Sequence, residues 1–574
     1  MAVLWEPDSA TLALLSVCVV LAAVTYQLLQ PPPLAHPVLL GRQALVQSPA
    51  RLTGQSAVYT TAQNGGARPP YRPDARLRTL ADILAGSTAA LEGNANSLGS
   101  AAHGHTLAET VRFVRAALVS RIRSAGDRPE HGSVLVALDD PADSLLVTLA
   151  LATSPYSPCV LAPGTDAAAA ADLAPTPSDL VVAVVRSLTW ILPHADILQV
   201  VIDTDEGEGD AAELIESGKV LVADGEDGAR ADAPGEPADV VVTLCSDGER
   251  LQLTNQNLTA SLVTWGSLFP TSPQPTRPTM RDSVLSFHHP ATPYGFGLAL
   301  YLISVSAGVS FPTLDRGSET DPDTFAALIK DPLRPAPTFI FGAADVVAKP
   351  VYSLILSEML GDSSFIIRAA RDGKLRLLRE GIVTKQSFWD AIVYKGLRKD
   401  TNLTRLRALI LSAPPAFDQS RIETLRGALG CPVLQTLAHP ALLAPICAGL
   451  MFDVQRLPPP GARRLRGNER QHVGPPALGM EVKFVGQEEE IAAGRVRGEV
   501  LVRTPVLPNP STLSRYLLST DSSLPALPPY PDSVRGASAA AAKDPVQWFK
   551  TGIVAEISPE GTVWVDETAS RALV

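Results

Sequence analysis

With 574 residues, 46% hydrophobic and 19% charged, the chain is too long for one ordinary core and too apolar to be disordered. A formal net charge of −11, with no sustained basic and aromatic patch, speaks against nucleic acid as a partner, because phosphate binding relies on clustered Lys and Arg. The five cysteines (Cys18, Cys159, Cys245, Cys431, Cys447) are scattered, with no CxxC pair and no zinc-type Cys/His spacing, which reads as reduced thiols in a cytosol-like compartment.

A short tail, residues 1–9, precedes an apolar run over 10–29, ATLALLSVCVVLAAVTYQLL, with no charge between Asp8 and His36. About 20 such residues match the hydrocarbon thickness of a bilayer, so a transmembrane helix is expected here. Glu6 and Asp8 stand before the run, where a cleaved signal peptide would carry basic residues. Arg42 and Arg51 follow it, a bias that places the main body on the cytosolic side of a single-pass protein, and the endoplasmic reticulum is the expected membrane. Sequons at Asn257 and Asn402 offer a test, since a glycan at either contradicts that orientation.

Residues 30–78 are Pro-rich and read as an extended segment on the body. A first α/β subdomain is expected over 79–262. It holds a helix from Thr106, where Thr106 and Glu109 form a capping box, and then the strand SVLVAL at 133–138. Further strands are predicted at 180–185, 195–202, 219–223 and 240–243, an alternation with helices that implies a parallel sheet. The acidic stretch between Asp203 and Asp239 lacks fixed ligand spacing and reads as a solvated loop. After Val240-Val241-Val242 the chain turns through Cys245-Ser246-Asp247-Gly248-Glu249-Arg250 into a helix opened by Thr254 and Asn255. Strand, loop and helix in that order often hold a nucleotide phosphate, but this loop has one glycine, two acids and no lysine.

A second α/β subdomain is expected over 263–450, with VLSF, a helix over 295–305, PTFIFG, and a helical stretch around SFWDAIVYKGLRKD. It closes as strand, turn, helix and strand over 406–437, with Ser420 and Glu423 as a capping box and Gly430 at the helix C-terminus. Residues 451–506 read as a small β-barrel-like lobe, 507–545 as a Pro/Ser/Ala-rich loop, and 546–574 as a terminal strand pair around Pro559-Glu560-Gly561. Isolated chemistry is sparse. His103 and His105 sit in a Gly/Ala/Ser stretch and read as exposed, and His288-His289 before Pro290 read as a structural turn. There is no GxSxG, no GxGxxG after a strand and no GxxxxGK[ST], so motifs alone do not demand an enzyme, and neither a catalytic residue nor a metal ligand is assigned.

The order of segments resembles the adenylate-forming, AMP-binding superfamily, and specifically long-chain fatty acid–CoA ligases. The likeness is carried by HPVLLGRQALVQSPARLTGQSAVY, SVLSFHHPATPYGFGLALYL, PTFIFGAADVVAKPVY, FWDAIVYKGLRKDTNLTRLRALILSAPPAF, VGPPALGMEVKFVG, RGEVLVRTPV and WFKTGIVAEISPEGTVWV, from about residue 37 to the end. It implies that family's N-terminal domain: two parallel α/β subdomains plus a small β-barrel-like lobe, here behind one transmembrane helix. It also places Thr243, Ser246, Gly248, Ala413, Pro414, Thr436, Leu437, Thr551 and Gly552 as nucleotide-facing by position only.

The functional positions of that resemblance are altered. The family's Ser/Thr/Gly-rich phosphate loop with its lysine corresponds to CSDGER, where Asp247 and Glu249 repel a triphosphate. Its adenine-stacking tyrosine corresponds to Leu437, its magnesium-binding glutamate to Ala441, and its ribose-binding aspartate to Ile553. The chain ends at Val574, about where the resemblance places the hinge to a C-terminal lid. The expectation is therefore a membrane-anchored pseudoenzyme of lipid metabolism that binds a fatty acid or acyl-CoA, or acts as a scaffold with a protein partner. The alternative is an active long-chain fatty acid–CoA ligase using ATP, Mg and CoA, with a partner-supplied lid. A third reading, an incomplete gene product of an ordinary ligase, explains the absent lid but not the altered internal motifs.

Overall fold

The computed structural model describes residues 8–28, 40–48, 53–63, 65, 72–89, 91–92, 104–124, 132–163, 165, 180–185, 198–201, 209–225, 236–246, 249–269, 276–312, 321–331, 335–360, 365–414, 417–451, 453, 470–508 and 548–566. His103, Asp247, Gly248 and most of the 507–545 stretch lie outside them.

Three sheets organise the chain. The first has six strands in the order Leu198–Val201, Leu180–Val185, Gly132–Ala137, Tyr156–Leu161, Val240–Ser246 and Glu249–Thr254. The pairings are parallel except for the last, which is antiparallel. In its central strand Gly132–Ala137, Val134, Leu135 and Val136 are all buried, so both faces are covered, as a parallel sheet packed by helices requires. The helix Leu107–Ser124 packs on it through Val111, Val114, Leu118 and Ile122, and its start is the expected capping box: Thr106 Oγ accepts from the Glu109 amide at 3.3 Å, while Glu109 Oε2 accepts from the Thr106 amide at 2.8 Å.

The second sheet has seven strands: Cys447–Ala448, Val433–Leu437, Ala408–Ala413, Phe339–Ala343, Ser283–Ser286, Gly308–Ser310 and Leu91–Glu92. All its pairings are parallel except Cys447–Ala448, which is antiparallel. The helix Pro293–Ser304 is apolar all round and sits in the main core, which spans all three sheets. The third sheet is antiparallel throughout, in the order Ala44–Ser48, Val58–Thr61, Glu481–Val485, Val496–Arg503, Phe549–Ile557, Val563–Asp566 and Arg470–Gly474. Among the described residues its order runs from Ala44–Ser48 to Arg470–Gly474, and the Gln43 amide beside the first strand donates to the Glu560 carbonyl at 2.7 Å. Strands from the segment read as merely extended, and from the terminal pair, join it.

Several element expectations are corrected. Lys219 to Ala223 is the end of the helix Gly209–Ala223, not a strand; the run KVLVA is β-like in composition, but a helix already propagating continues through it. Of the predicted 195–202 strand, Leu198–Val201 is a strand, and 195–197 and Ile202 lie outside the described residues. The helix Gln419–Leu429 is capped by Asp418, whose carboxylate accepts from the Ser420 amide at 3.2 Å, so Ser420 is inside the helix and the Ser420/Glu423 box does not form. Gly430 does close that helix, at φ 62°, the left-handed conformation that favours glycine.

The N-terminal run folds as one helix, Ser9–Leu28, with Leu14 68% exposed. The side chains of Val19 and of residues 22–28 lie outside the described residues. Among the residues whose side chains are described, which leave out that part of this helix, no helix is long and apolar enough to cross a membrane.

Candidate functional site

The segment around Cys245 is a hairpin. Val240–Ser246 pairs antiparallel with Glu249–Thr254, with Cys245 opposite Arg250 and Ser246 opposite Glu249, so only Asp247 and Gly248 separate the strands. The expected strand, loop and helix is corrected accordingly: a second strand intervenes before the helix Asn255–Ser267. That helix start is also internally occupied. The Asn257 amide donates to Thr254 Oγ at 3.3 Å and the Thr254 amide donates to Asn257 Oδ1 at 2.9 Å. Asn257 Nδ2 then donates to the carbonyls of Pro505 and Leu507, both at 2.8 Å, tying the helix to the third sheet. Thr243 lies within the hairpin strand, half-buried and opposite Gln252.

The second segment is the end of the strand Val433–Leu437. Ala413 and Leu437 are parallel neighbours, both buried, and the Ala438 amide donates to the Ala413 carbonyl at 2.9 Å; Pro414 is exposed. The Thr436 hydroxyl lies 2.9 Å from the Tyr294 hydroxyl and donates to the Leu411 carbonyl at 3.1 Å. Past the strand, His439 Nδ1 accepts from the Ala441 amide at 3.1 Å. Its ring meets Phe549 edge-on at 4.9 Å. Burial pulls His439 down to about 4, against an opposing hydrogen bond to the Thr551 backbone, so the ring is neutral at pH 7.

The third segment is in the strand Phe549–Ile557. The Thr551 hydroxyl donates to the Val500 carbonyl at 2.8 Å and accepts from the Ile553 amide at 3.2 Å. Gly552 adopts φ 66°, and its amide donates to Glu499 Oε1 at 3.3 Å. Ile553 is buried.

The three segments converge, and what they bring together is apolar. Leu251 from the hairpin, Ala441 from the second segment and Phe549 from the third form one buried cluster, with Leu507 packed on it. His439 bridges the second and third segments. Ala413 and Pro414 lie at the neighbouring strand end, while Thr243 stays inside the hairpin ladder. Thr436 and Thr551 spend their hydroxyls on backbone carbonyls, which is structural work.

ATP and magnesium do not fit these residues. Leu437 offers no aromatic face, Ala441 no carboxylate, and Ile553 replaces a double acceptor by an apolar group. No group of three or more His, Cys, Asp or Glu among the described residues is arranged to hold a metal ion.

Of the histidines flagged in the sequence, the three described ones, His105, His288 and His289, make structural contacts. His289 Nδ1 accepts from the Ala291 amide at 3.1 Å, which leaves Nε2–H to donate to the Asp139 carbonyl, also at 3.1 Å. His288 packs edge-on against Tyr294 at 4.9 Å, and burial lowers it to about 4. His105 meets Phe113 edge-on at 5.3 Å and lies 3.9 Å from Glu109. Sequence reasoning did not single out Leu251, Tyr294, His439 or Phe549 as site residues, because they lie far apart in the chain. It also missed a buried ionic cluster in which Asp390 binds both Lys374 and Arg398, the latter at 2.7 Å. The only trace of it in the sequence is an acid eight residues before an arginine on one helical stretch.

No protein-family profile matches the sequence, and no curated protein matches it. Solved structures do. A long-chain-fatty-acid-CoA ligase (FadD1) from Archaeoglobus fulgidus superposes with a TM-score of 0.52 at 15% identity, covering 86% of this chain and 84% of that one. A benzoate CoA ligase from Burkholderia xenovorans LB400 gives 0.50 at 16% identity over 84% of this chain and 79% of that one. VinN, in complex with L-aspartate, gives 0.51 at 15% identity over 85% of this chain and 99% of that one. At these identities the likeness establishes the fold alone: a mixed α/β fold shared with these three proteins.

Proposed function

Starting from a chain with the adenylate-forming fold, we propose that it is a membrane-anchored, ligase-like protein that no longer adenylates. It acts in lipid metabolism by holding an acyl chain or acyl-CoA, or as a scaffold for a protein partner. One observation carries this reading. The segments that the resemblance assigns to phosphate, adenine and ribose meet in a buried apolar cluster of Leu251, Ala441 and Phe549, beside a buried Ile553. Stabilising a transferring adenylyl group requires cations or dipoles aimed at the developing charge, and an apolar cluster supplies neither.

The anchor is the helix Ser9–Leu28, whose 20 residues include no acid or base. At ~1.5 Å per residue it is about 30 Å long, the thickness of a bilayer core. Leu12, Leu14, Leu15 and Val20 are each more than half exposed, which supports insertion into lipid over packing on the body. The body is placed on the cytosolic face of the endoplasmic reticulum. Asn257, buried with its amide in two hydrogen bonds, offers no acceptor for a glycan, so Asn402 is the position on which glycosylation tests that side.

The experiment is thermal unfolding of the full chain with each ligand in turn. A ligand at a hundred times its Kd stabilises a protein by about 2.7 kcal/mol. The proposal expects a shift with fatty acid or acyl-CoA alone and none with ATP and magnesium; a saturable shift with ATP sinks it. The fold likeness to a fatty-acid-CoA ligase supports the alternative, an active ligase using ATP, Mg and CoA with a partner-supplied lid, and that ATP shift is its signature.

A further inference from the structure

A second surface, far along the chain from the N-terminal helix, has the composition of a lipid-facing patch. The helix Phe365–Arg379 buries Ala370, Lys374, Leu377 and Leu378 against the body, yet its first turn presents Phe365 at 85% exposure and Ile366 at 51%. Residues 388–400 form a second helical stretch, with a π-turn at Asp390–Tyr394 followed by the helix Lys395–Asp400. There Phe388 and Ile392 are 60% and 52% exposed. Phe388, Ile392, Lys395 and Lys399 are all exposed along this stretch.

The two stretches are locked side by side. A methyl added at Gly373 would overlap the Trp389 ring at 2.1 Å from Nε1, and Lys374 of the first stretch binds Asp390 of the second. Ile366 lies seven residues before Gly373, on the stripe of the helix that faces Trp389, so it is carried to the same side as Phe388. Phe388 and Trp389 pack edge-on at 5.2 Å, which holds Phe388 outward.

Charge identifies the occupant. Residues 365–400 contain nine basic residues against four acidic, in a chain whose net charge is −11. Arg368, Arg376, Lys395 and Lys399 are exposed on the two stretches that carry the apolar side chains, together with Asp372, Glu380 and Asp400. We infer that Phe365, Ile366, Phe388 and Ile392, together with these basic residues, dock on an anionic bilayer surface independently of the N-terminal helix. Apolar tips enter the headgroup boundary while Arg and Lys stems lie along it with their charges at the lipid phosphates. The remainder of the molecule, being acidic, is repelled by the same surface, so the docking also orients the body. Each basic residue held near such a surface strengthens binding roughly fivefold, and salt screens the effect.

The test uses the full chain with an environment-sensitive fluorophore at one of two sites. Native Cys18, which is exposed, reports the N-terminal helix; Ile392→Cys in a Cys18→Ser background reports the surface, the other four cysteines being buried. On adding phosphatidylserine vesicles, the probe at 392 shifts to the blue. High salt reverses the shift, pure phosphatidylcholine does not produce it, and Arg368→Gln or Lys395→Gln each weaken it about fivefold. An unchanged probe at 392 while the Cys18 probe shifts overturns this inference and leaves the anchor standing. A shifted 392 probe with an unchanged Cys18 probe upholds it and removes the anchor. A 392 shift of equal size in phosphatidylcholine contradicts the charge-based docking.

Discussion

The hydroxyls of Tyr294 and Thr436 lie 2.9 Å apart in the buried core, joining the helix Pro293–Ser304 to the strand end that the resemblance assigns to the nucleotide. Thr436 also donates to the Leu411 carbonyl, so its hydroxyl is committed inside the protein. Tyr294→Phe leaves Thr436 that second bond and costs about 1 kcal/mol, whereas Thr436→Val strands the buried Tyr294 hydroxyl and costs about 2 kcal/mol. Urea unfolding midpoints of the two variants measure this. Equal losses would contradict the assignment of Thr436 as the shared partner.

Ile553 stands where a ribose-binding aspartate is implied, but its surroundings are those of a core residue. Ile553→Asp therefore buries a carboxylate with no cation and destabilises the protein by about 3 kcal/mol. It does so without creating nucleotide affinity, because the neighbouring positions Leu437 and Ala441 remain apolar. Chemical denaturation with and without ATP reads both. Recovery of the lost stability by ATP and magnesium would show a latent site.

Asp390 is the hub of a buried cluster, with Lys374, Arg398 and the Ser387 hydroxyl all bonded to its carboxylate and all three charged side chains at most 4% exposed. Burial alone would raise Asp390, but the bonds from Lys374, Ser387 and Arg398 outweigh it and hold the carboxyl below its ordinary value. Since the folded value is the lower one, this contribution is complete above about pH 4, the unfolded carboxylate value, and is lost as the pH falls further. Asp390→Asn leaves two buried cations short of a counter-charge and costs about 3–5 kcal/mol at neutral pH. A loss under about 1 kcal/mol, within the surface range, would refute the hub.

Burial keeps three histidines neutral, His288 and His439 at about 4 and His472 at about 3, the last also facing the Arg426 cation. The unfolded chain binds their protons near pH 6.5, so each contributes stability that is whole above that value and shrinks as the pH drops toward the folded value. Each one steepens the fall by about 1.4 kcal/mol per pH unit between roughly pH 6 and 4. Unfolding midpoints across that range track it, and His472→Gln flattens the profile by one histidine's share. A wild-type profile flat from pH 7 to 5 would contradict the buried neutral state.

Much of the fold was legible because the signals are local. The apolar runs at Val134 to Val136 and Leu409 to Leu411 are strands, the Thr106/Glu109 box opens a helix, and Gly430 closes one. Where local signals conflicted, context decided. Lys219 to Ala223 went to a helix, and Asp418 displaced Ser420 as a cap because its carboxylate reaches the first free amides. The hairpin was hidden because the short alternation Leu251-Gln252-Leu253 runs straight into the helix cap at Thr254.

At the site, the substitutions at Leu437, Ala441 and Ile553 were visible only through the family resemblance. That Leu251 and Phe549 pack with Ala441 was not legible at all, since it depends on how three sheets meet. The ionic cluster at Asp390 stayed hidden for the same reason: Lys374 comes from a different helix.

The proposal that this chain does not adenylate is tested most directly by fatty-acid-dependent release of pyrophosphate. The full chain is assayed with ATP, magnesium and a long-chain fatty acid, beside an active ligase under the same conditions. The account predicts release no greater than that of the assay without protein. Release by this chain that saturates in both ATP and fatty acid would contradict it.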